Sequence, residues 1–480
     1  MTKCEHSTPH LDLSPHAATT KYERPSLARR HAATTTSGRA TNNKEILEQH
    51  ANVESLFPPP LVLPDDALVI APENSPPQSL RSWTLDKNRN PVTPQRRTIY
   101  VVSPPKRAFE IGMPRCLPPE PTMIAEWRLP PDVDPEVAKS VLVVDEVRDY
   151  LAAFYHPLPV KRMLGHVEFV PWSDDEEEED EEEKSNGNQY IGLQIGDGIT
   201  RITIRPCPDK RYEEQLRIGD LLDAAEAALP DDAYALMMVL WDDLYEDDDD
   251  EFCCGRAYGG NRVAVVSGAR YHPVLDRFRE DNEHDWPFSH CSEFVKKACK
   301  EADGGNSSRN TNNKRRKTAR NGTLGAIQQD TPGHTTMKAM IRAALDAEEA
   351  PKALPFRNDS ALWIFRVART AAHEVGHCFC LEHCSYYACV MQDTASLAED
   401  LRQPPYLCPV CLAKLSRAIG DGAGVTAGGA LSDNKIDIDT AFCINRYKAL
   451  VQFCTRWEIV PMFAAYRCWL EQRIAVLQSE

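Results

Sequence analysis

The sequence predicts an α/β fold: a twisted mixed sheet, a long helix behind it, and a helical C-terminal part knotted by cysteines. Three observations carry this. Short β-branched runs of strand length fall at 98–102, 165–172, 189–205 and 262–267. Apolar residues at helical spacing run from Leu362 to about Phe379. Six of the 16 cysteines crowd between Cys378 and Cys411, ahead of two more helical stretches at about 440–456 and 459–477.

Taken in chain order, residues 1–95 are rich in Ser, Thr, Pro, Asn and charge and read as a disordered tail. Residues 96–300 read as an N-terminal subdomain. It opens with the strand Thr98–Val102, then a helix over 136–155, placed after Asp134-Pro135. Gly165–Trp172 alternates like a strand. Residues 189–195 and 199–205 read as two strands around a Gly-Asp-Gly turn. An amphipathic helix is expected over 211–228, and a buried strand at Ala235–Trp241. Arg262–Ser267 reads as a strand near a sheet edge, because charged and glycine-rich segments flank it. Acidic inserts occupy 173–188 and 242–251, and a low-complexity insertion 301–335. Residues 336–480 hold a short helix (336–348), the long helix capped by Asp359 or Ser360, the cysteine cluster and the closing helices.

Charge narrows the functional classes. The net charge is 55 − 72 = −17, but residues 174–183 hold ten acids and 242–251 hold eight. Outside those stretches 54 acids face 55 bases, so a nucleic-acid partner is not expected. No apolar run approaches the roughly 20 residues a membrane span needs. The N-terminus has no apolar signal-peptide core. The expected location is therefore intracellular: cytoplasmic, or nuclear through Lys314–Lys317 (KRRK), which as a basic stretch in a linker also reads as plain solvated charge. In that compartment cysteine clusters more often bind metal than form disulfides.

The chemistry centres on His373-Glu374-Val375-Gly376-His377. Histidines four apart on a helix lie roughly 40° apart around its axis, so both imidazoles leave one face. His383, ten residues after His373, stands at the third-ligand position. Three neutral imidazoles suit zinc. Glu374 can reach a metal-bound water without binding the metal. Separately, Cys384-x4-Cys389 and Cys408-Pro-Val-Cys411 suit a closed tetrahedral Cys4 zinc site, which leaves no place for water and is therefore structural. Met391, between the pairs, reads as a methionine floor beneath the first metal or as plain core.

HEVGHCFCLEHCSYYACVM followed by CPVC resembles the archaemetzincin family of metallopeptidases, over Val367 to about Leu415. Weaker likeness extends to the DLY at 243–245 and VAVVSGARY at 263–271. The resemblance implies a zincin/metzincin-type catalytic domain and two Zn2+ per chain. His373, His377 and His383 would hold a catalytic zinc. Glu374 would be general base and acid, Met391 the Met-turn residue, and Cys384, Cys389, Cys408 and Cys411 the ligands of a structural zinc. Cys380 stands where the family has glycine, at a cost of about 1 kcal/mol if the turn is left-handed. The implied activity is hydrolysis of a peptide or protein substrate by Glu-activated, zinc-bound water, with the substrate extended along an edge strand, Arg262–Ser267. The alternative is a catalytically weak zinc-stabilised scaffold. Cys378 and Cys380, the acidic runs, His284, His290 and Cys291 (which lack ligand spacing), and Tyr386 and Tyr387 read as ordinary structural residues.

Overall fold

The computed structural model describes residues 4–107, 144–172, 189–279, 283–305, 332–350, 355–422 and 439–479. The first acidic run, the KRRK stretch and the 136–143 end of the expected helix lie outside them.

Two sheets and a helical layer build the body. The strands are β1 (Thr98–Val102), β2 (Lys106–Arg107), β3 (Val160–Arg162), β4 (Val167–Pro171), β5 (Gln189–Ile195), β6 (Gly198–Pro206), β7 (Glu214–Arg217), β8 (Ala233–Leu240), β9 (Leu244–Tyr245), β10 (Gly255–Tyr258) and β11 (Val263–Ser267). The first sheet runs β10-β11-β8-β1-β3, parallel except for β10; the second runs β2-β4-β5-β6-β7-β9. Strand β8, AYALMMVL, is buried at every position. Its unbroken apolar run follows from burial on both faces. Leu236, Met238 and Leu240 pack toward the second sheet, while Ala235, Met237 and Val239 pack toward the helices. The long helix Pro355–Cys378 lies on that helical side, with Ala361, Ile364, Ala368, Ala371 and Val375 fully buried at helical spacing.

Several expectations are corrected. Of the stretch 1–95 expected to be a disordered tail, the described residues 4–95 are instead ordered: they form helices Leu27–Ala33, Lys44–Glu54 and Leu80–Leu85 and pack on the body. Leu56, Phe57, Leu80 and Trp83 join the main core. The polar composition hid short apolar clusters, each enough to dock a segment but too short to show periodicity. The 211–228 stretch splits into β7 and a helix, Ile218–Ala227, because Glu214–Arg217 pairs with β6 and β9. The expected short helix is Pro332–Glu349. The long helix starts not at Asp359 or Ser360 but at Pro355, proline being favoured at a first helical position. Finally, Arg262–Ser267 is not an edge strand. Strand β11 lies between β8 and β10, and its glycine-rich flank is the tight turn of the β10–β11 hairpin, closed by Arg262 at φ +68°. The edge is β10, whose sequence GRAY carries too little apolar alternation to be read as a strand.

Candidate metal centre

The motif helix is held from behind by charge. Arg366 bonds Asp276 through both guanidinium nitrogens at 2.8 Å and Asp285 at 3.1 Å, while Arg369 pairs with Asp400. Its buried face and these pairs fix how its other face meets the cleft.

The three histidines converge there. His373 and His377 bring their Nε2 atoms to 3.0 Å, and His383 closes the group with ring centroids 5.5 Å and 4.9 Å from theirs. Their ligand atoms all lie within 4.8 Å of one another. The other ring nitrogens are engaged. Nδ1 of His373 lies 2.6 Å from the Val390 carbonyl and Nδ1 of His377 2.7 Å from that of Leu381. With Nδ1 donating, each Nε2 carries a lone pair toward the common point, as a metal-binding imidazole requires. Asp393 lies 3.5 Å from His383 Nδ1. A tetrahedral zinc with bonds of 2.0–2.1 Å needs an N···N edge of about 3.3 Å, so the donor set fits. Burial, reinforced by the neighbouring rings, holds His373 well below the ordinary imidazole range and His377 down to about 3, which favours neutral imidazoles at neutral pH.

The turn that delivers His383 is a Schellman motif. Leu381 N–H donates to Gly376 O (3.2 Å) and Cys380 N–H to His377 O (2.8 Å), with Cys380 left-handed at φ +55°. Cys380 therefore adopts the backbone that glycine usually supplies, and the third histidine still reaches its partners. Under the helix, Met391 is fully buried. A Cβ on Gly376 would stand 2.6 Å from its sulfur, so any larger residue there would have to displace the buried Met391 side chain.

Glu374 is 7% exposed and points at strand β10: a Cβ on Gly255 would lie 3.1 Å from its Cγ and Oε1. Burial pushes its carboxyl up to about 8, against the opposing pull of Arg256. A cleft of about 910 Å³ opens over the histidines and Glu374, flanked by β10 and the acidic stretch 249–251. Among the described residues, that stretch is a wall of the cleft rather than a free loop.

Behind the histidines, Cys384, Cys389, Cys408 and Cys411 gather into one buried group, with Cys384 and Cys408 sulfurs 3.6 Å apart. A tetrahedral zinc with Zn–S bonds of 2.3 Å needs about 3.8 Å. Backbone N–H groups of Met391 and Cys408 donate to Cys389 Sγ, as expected around a thiolate cluster.

Sequence reasoning missed the N-terminal supports. Trp83 Nε1 donates to Phe379 O (2.9 Å) and Gln78 Nε2 to Cys380 O (3.0 Å), satisfying carbonyls at the end of the motif helix. Tyr387 donates to Glu54, Tyr386 to Pro77 O, and Tyr22 to Ser385 O, so the expected tail wraps the cysteine loop. A lone tryptophan in PPQSLRSW was the one available signal. The weaker upstream likeness also gains a physical basis. Asp243 of DLY pairs with Arg270 of SGARY at 2.5–2.8 Å in the interior, tying the cleft's acidic wall to β11.

A buried helix presenting two histidines and a glutamate, a third histidine beyond a left-handed turn and a methionine beneath define a metal centre of the H-E-x-x-H class. Residues 351–417 match the model described as Peptidase family M54. The chain is similar to human archaemetzincin-2, 26% identical over 222 residues, which are 46% of this chain and 47% of that protein. It is also similar to human archaemetzincin-1, 40% identical over 87 residues, 17% of each chain. The crystal structure of archaemetzincin from Methanopyrus kandleri overlaps 68% of this chain and 97% of its own, at 16% identity and a TM-score of 0.29. The chain spans about half the length of the curated archaemetzincin-2 relatives it matches. Over its motif segment the chain is similar to the archaemetzincins.

Proposed function

We propose that this protein is a zinc-dependent metallopeptidase acting on peptides or small proteins. The observation that carries this is the convergence of three imidazole nitrogens beside a buried glutamate at the floor of an open cleft. His373, His377 and His383 would hold the catalytic zinc, and Cys384, Cys389, Cys408 and Cys411 a structural one. When bound, the catalytic ion would lower the pKa of a coordinated water and polarise a substrate carbonyl.

The chain's own residues do the rest. Glu374 is the base that takes a proton from the attacking water and returns it to the leaving amine; its burial favours the protonated form midway through that cycle. Strand β10 offers its free edge to an extended peptide, whose backbone would continue the sheet past Glu374. The Nδ1 hydrogen bonds of His373 and His377 orient two of the imidazoles, so the site needs little rearrangement on binding metal.

The test is a comparison of Glu374→Gln with His377→Ala in full-length protein. Glu374→Gln should keep its zinc and lose at least ~10²-fold in peptide hydrolysis. His377→Ala should lose both activity and one zinc. Glu374→Gln with unchanged hydrolysis would sink the reading and favour the scaffold alternative.

A further inference from the structure

Outside the cleft, the N-terminus and the start of helix Ser292–Gly305 bring together four zinc-type donors. Cys4 Sγ lies 3.5 Å from Cys291 Sγ and 3.5 Å from His6 Nδ1, and His6 Nδ1 lies 3.4 Å from Cys291 Sγ. His284 offers a ring nitrogen within 4.8 Å of the ligand atoms of Cys4 and His6. None of the four lines the cleft.

We propose that Cys4, His6, His284 and Cys291 form a zinc site that staples the N-terminus to the body. The distances argue for it. Around a tetrahedral zinc the S···S edge is about 3.8 Å and the S···N edge about 3.5 Å, whereas a disulfide would need about 2.05 Å. The Cys4–Cys291 separation is close to the 3.6 Å of the Cys384–Cys408 pair. The backbone is also shaped for it. His6 sits at φ +50°, a left-handed conformation uncommon for a non-glycine residue, which turns its ring back toward Cys4. The partner segments are pinned in register: Ser292 N–H donates to Thr8 O (2.8 Å) and His10 N–H to His290 O (2.9 Å).

The rings are backed by aromatic faces. His6 lies on Phe288 and His284 stacks on Phe294, with centroids 4.6 and 4.7 Å apart. Glu293 Oε2 lies 3.2 Å from Cys4 Sγ and groups with Cys4 and Cys291, but its carboxylate already accepts from Ser7 Oγ (2.8 Å) and Glu5 N–H (3.1 Å), so it takes an outer role and serves as a control. Two thiolates and two imidazoles fill a tetrahedron and leave no place for water, so the site is structural. It closes a loop between positions 287 apart, about three-fifths of the 480-residue chain, and its ligands from the two ends meet only after folding.

The test is a difference in zinc count by native mass spectrometry on full-length protein, loaded with Zn2+ in reducing buffer. Cys4→Ser/Cys291→Ser should carry one zinc fewer than the parent. The same difference should hold in the His377→Ala background, which separates this site from the catalytic one. His6→Ala, a single partly exposed change, should give the same loss if the cysteine pair disturbs folding. Glu293→Gln should keep the full count. Equal counts in parent and variants would overturn the proposal, as would a Cys4–Cys291 disulfide surviving in reductant. Loss of zinc from Glu293→Gln together with its retention by His284→Ala would overturn the ligand set.

Discussion

Cys380 is where one residue decides whether the cleft has two imidazoles or three. Its left-handed backbone costs an L-residue about 1 kcal/mol, and the hydrogen bonds of the Schellman turn, with Gln78 on its carbonyl, hold it there. Cys380→Gly should therefore leave the zinc count unchanged and stabilise the reduced, zinc-loaded chain by up to ~1 kcal/mol in urea unfolding. Cys380→Val, β-branched at the same φ, should destabilise by more than that. If Cys380→Gly is destabilising instead, the thiol carries packing beyond the backbone term. The convergence of His373 and His377 was legible in the sequence, because side chains four apart on a helix share a face whatever surrounds them. Their Nδ1 acceptors, the Val390 and Leu381 carbonyls, were not, because backbone groups leave no mark on residue type.

At the scale of elements, the helix Leu80–Leu85 shows what composition conceals. It is six residues long and follows a proline-rich stretch, yet it opens with a capping box between Ser79 and Ser82 and buries Leu80 and Trp83. Trp83 is buried in the main core and donates to Phe379 O at the end of the motif helix. Trp83→Ala should cost about 3–5 kcal/mol. Trp83→Phe keeps most of the packing but strands a buried carbonyl, and should cost about 1–3 kcal/mol. Both are read by chemical denaturation, and a Trp83→Ala variant as stable as the parent would show that residues 4–95 are dispensable. The strands tell the complementary story. Strand β8 was plain in the sequence because burial on both faces demands a continuous apolar run. Strand β10 was hidden because an edge strand in a cleft is selected for access, not for alternation, and its neighbour β11 took the edge assignment in its place.

At the scale of the whole molecule, the net charge of −17 acquires a direction. The body is nearly neutral, but the second acidic run lines the cleft while keeping Asp247, Asp248, Asp249 and Glu251 exposed to solvent. Arg205 donates to the carbonyls of Asp247, Asp248 and Asp250, and Asp243 is anchored by Arg270, so the backbone of this segment is tied down. Asp249, Asp250 and Glu251 line the cleft beside Glu246, and Arg256 is the one cation among the cleft-lining residues described. A wall of one sign raises the local concentration of oppositely charged ligands and speeds their capture, an effect screened beyond a Debye length of ~10 Å at 0.1 M salt. Peptides bearing lysine or arginine should therefore be cleaved with a higher kcat/KM than neutral peptides of the same length, and raising ionic strength from ~0.05 to ~0.5 M should narrow the gap. Asp249→Asn/Glu251→Gln should lower kcat/KM for the cationic peptide by a few-fold and leave the neutral one unchanged, since neither residue belongs to the metal centre. Equal loss on both peptides would mean that these residues shape the cleft rather than charge it. A preference for acidic peptides would mean that Arg256, next to Gly255 on the substrate edge, dominates recognition over the wall that faces it.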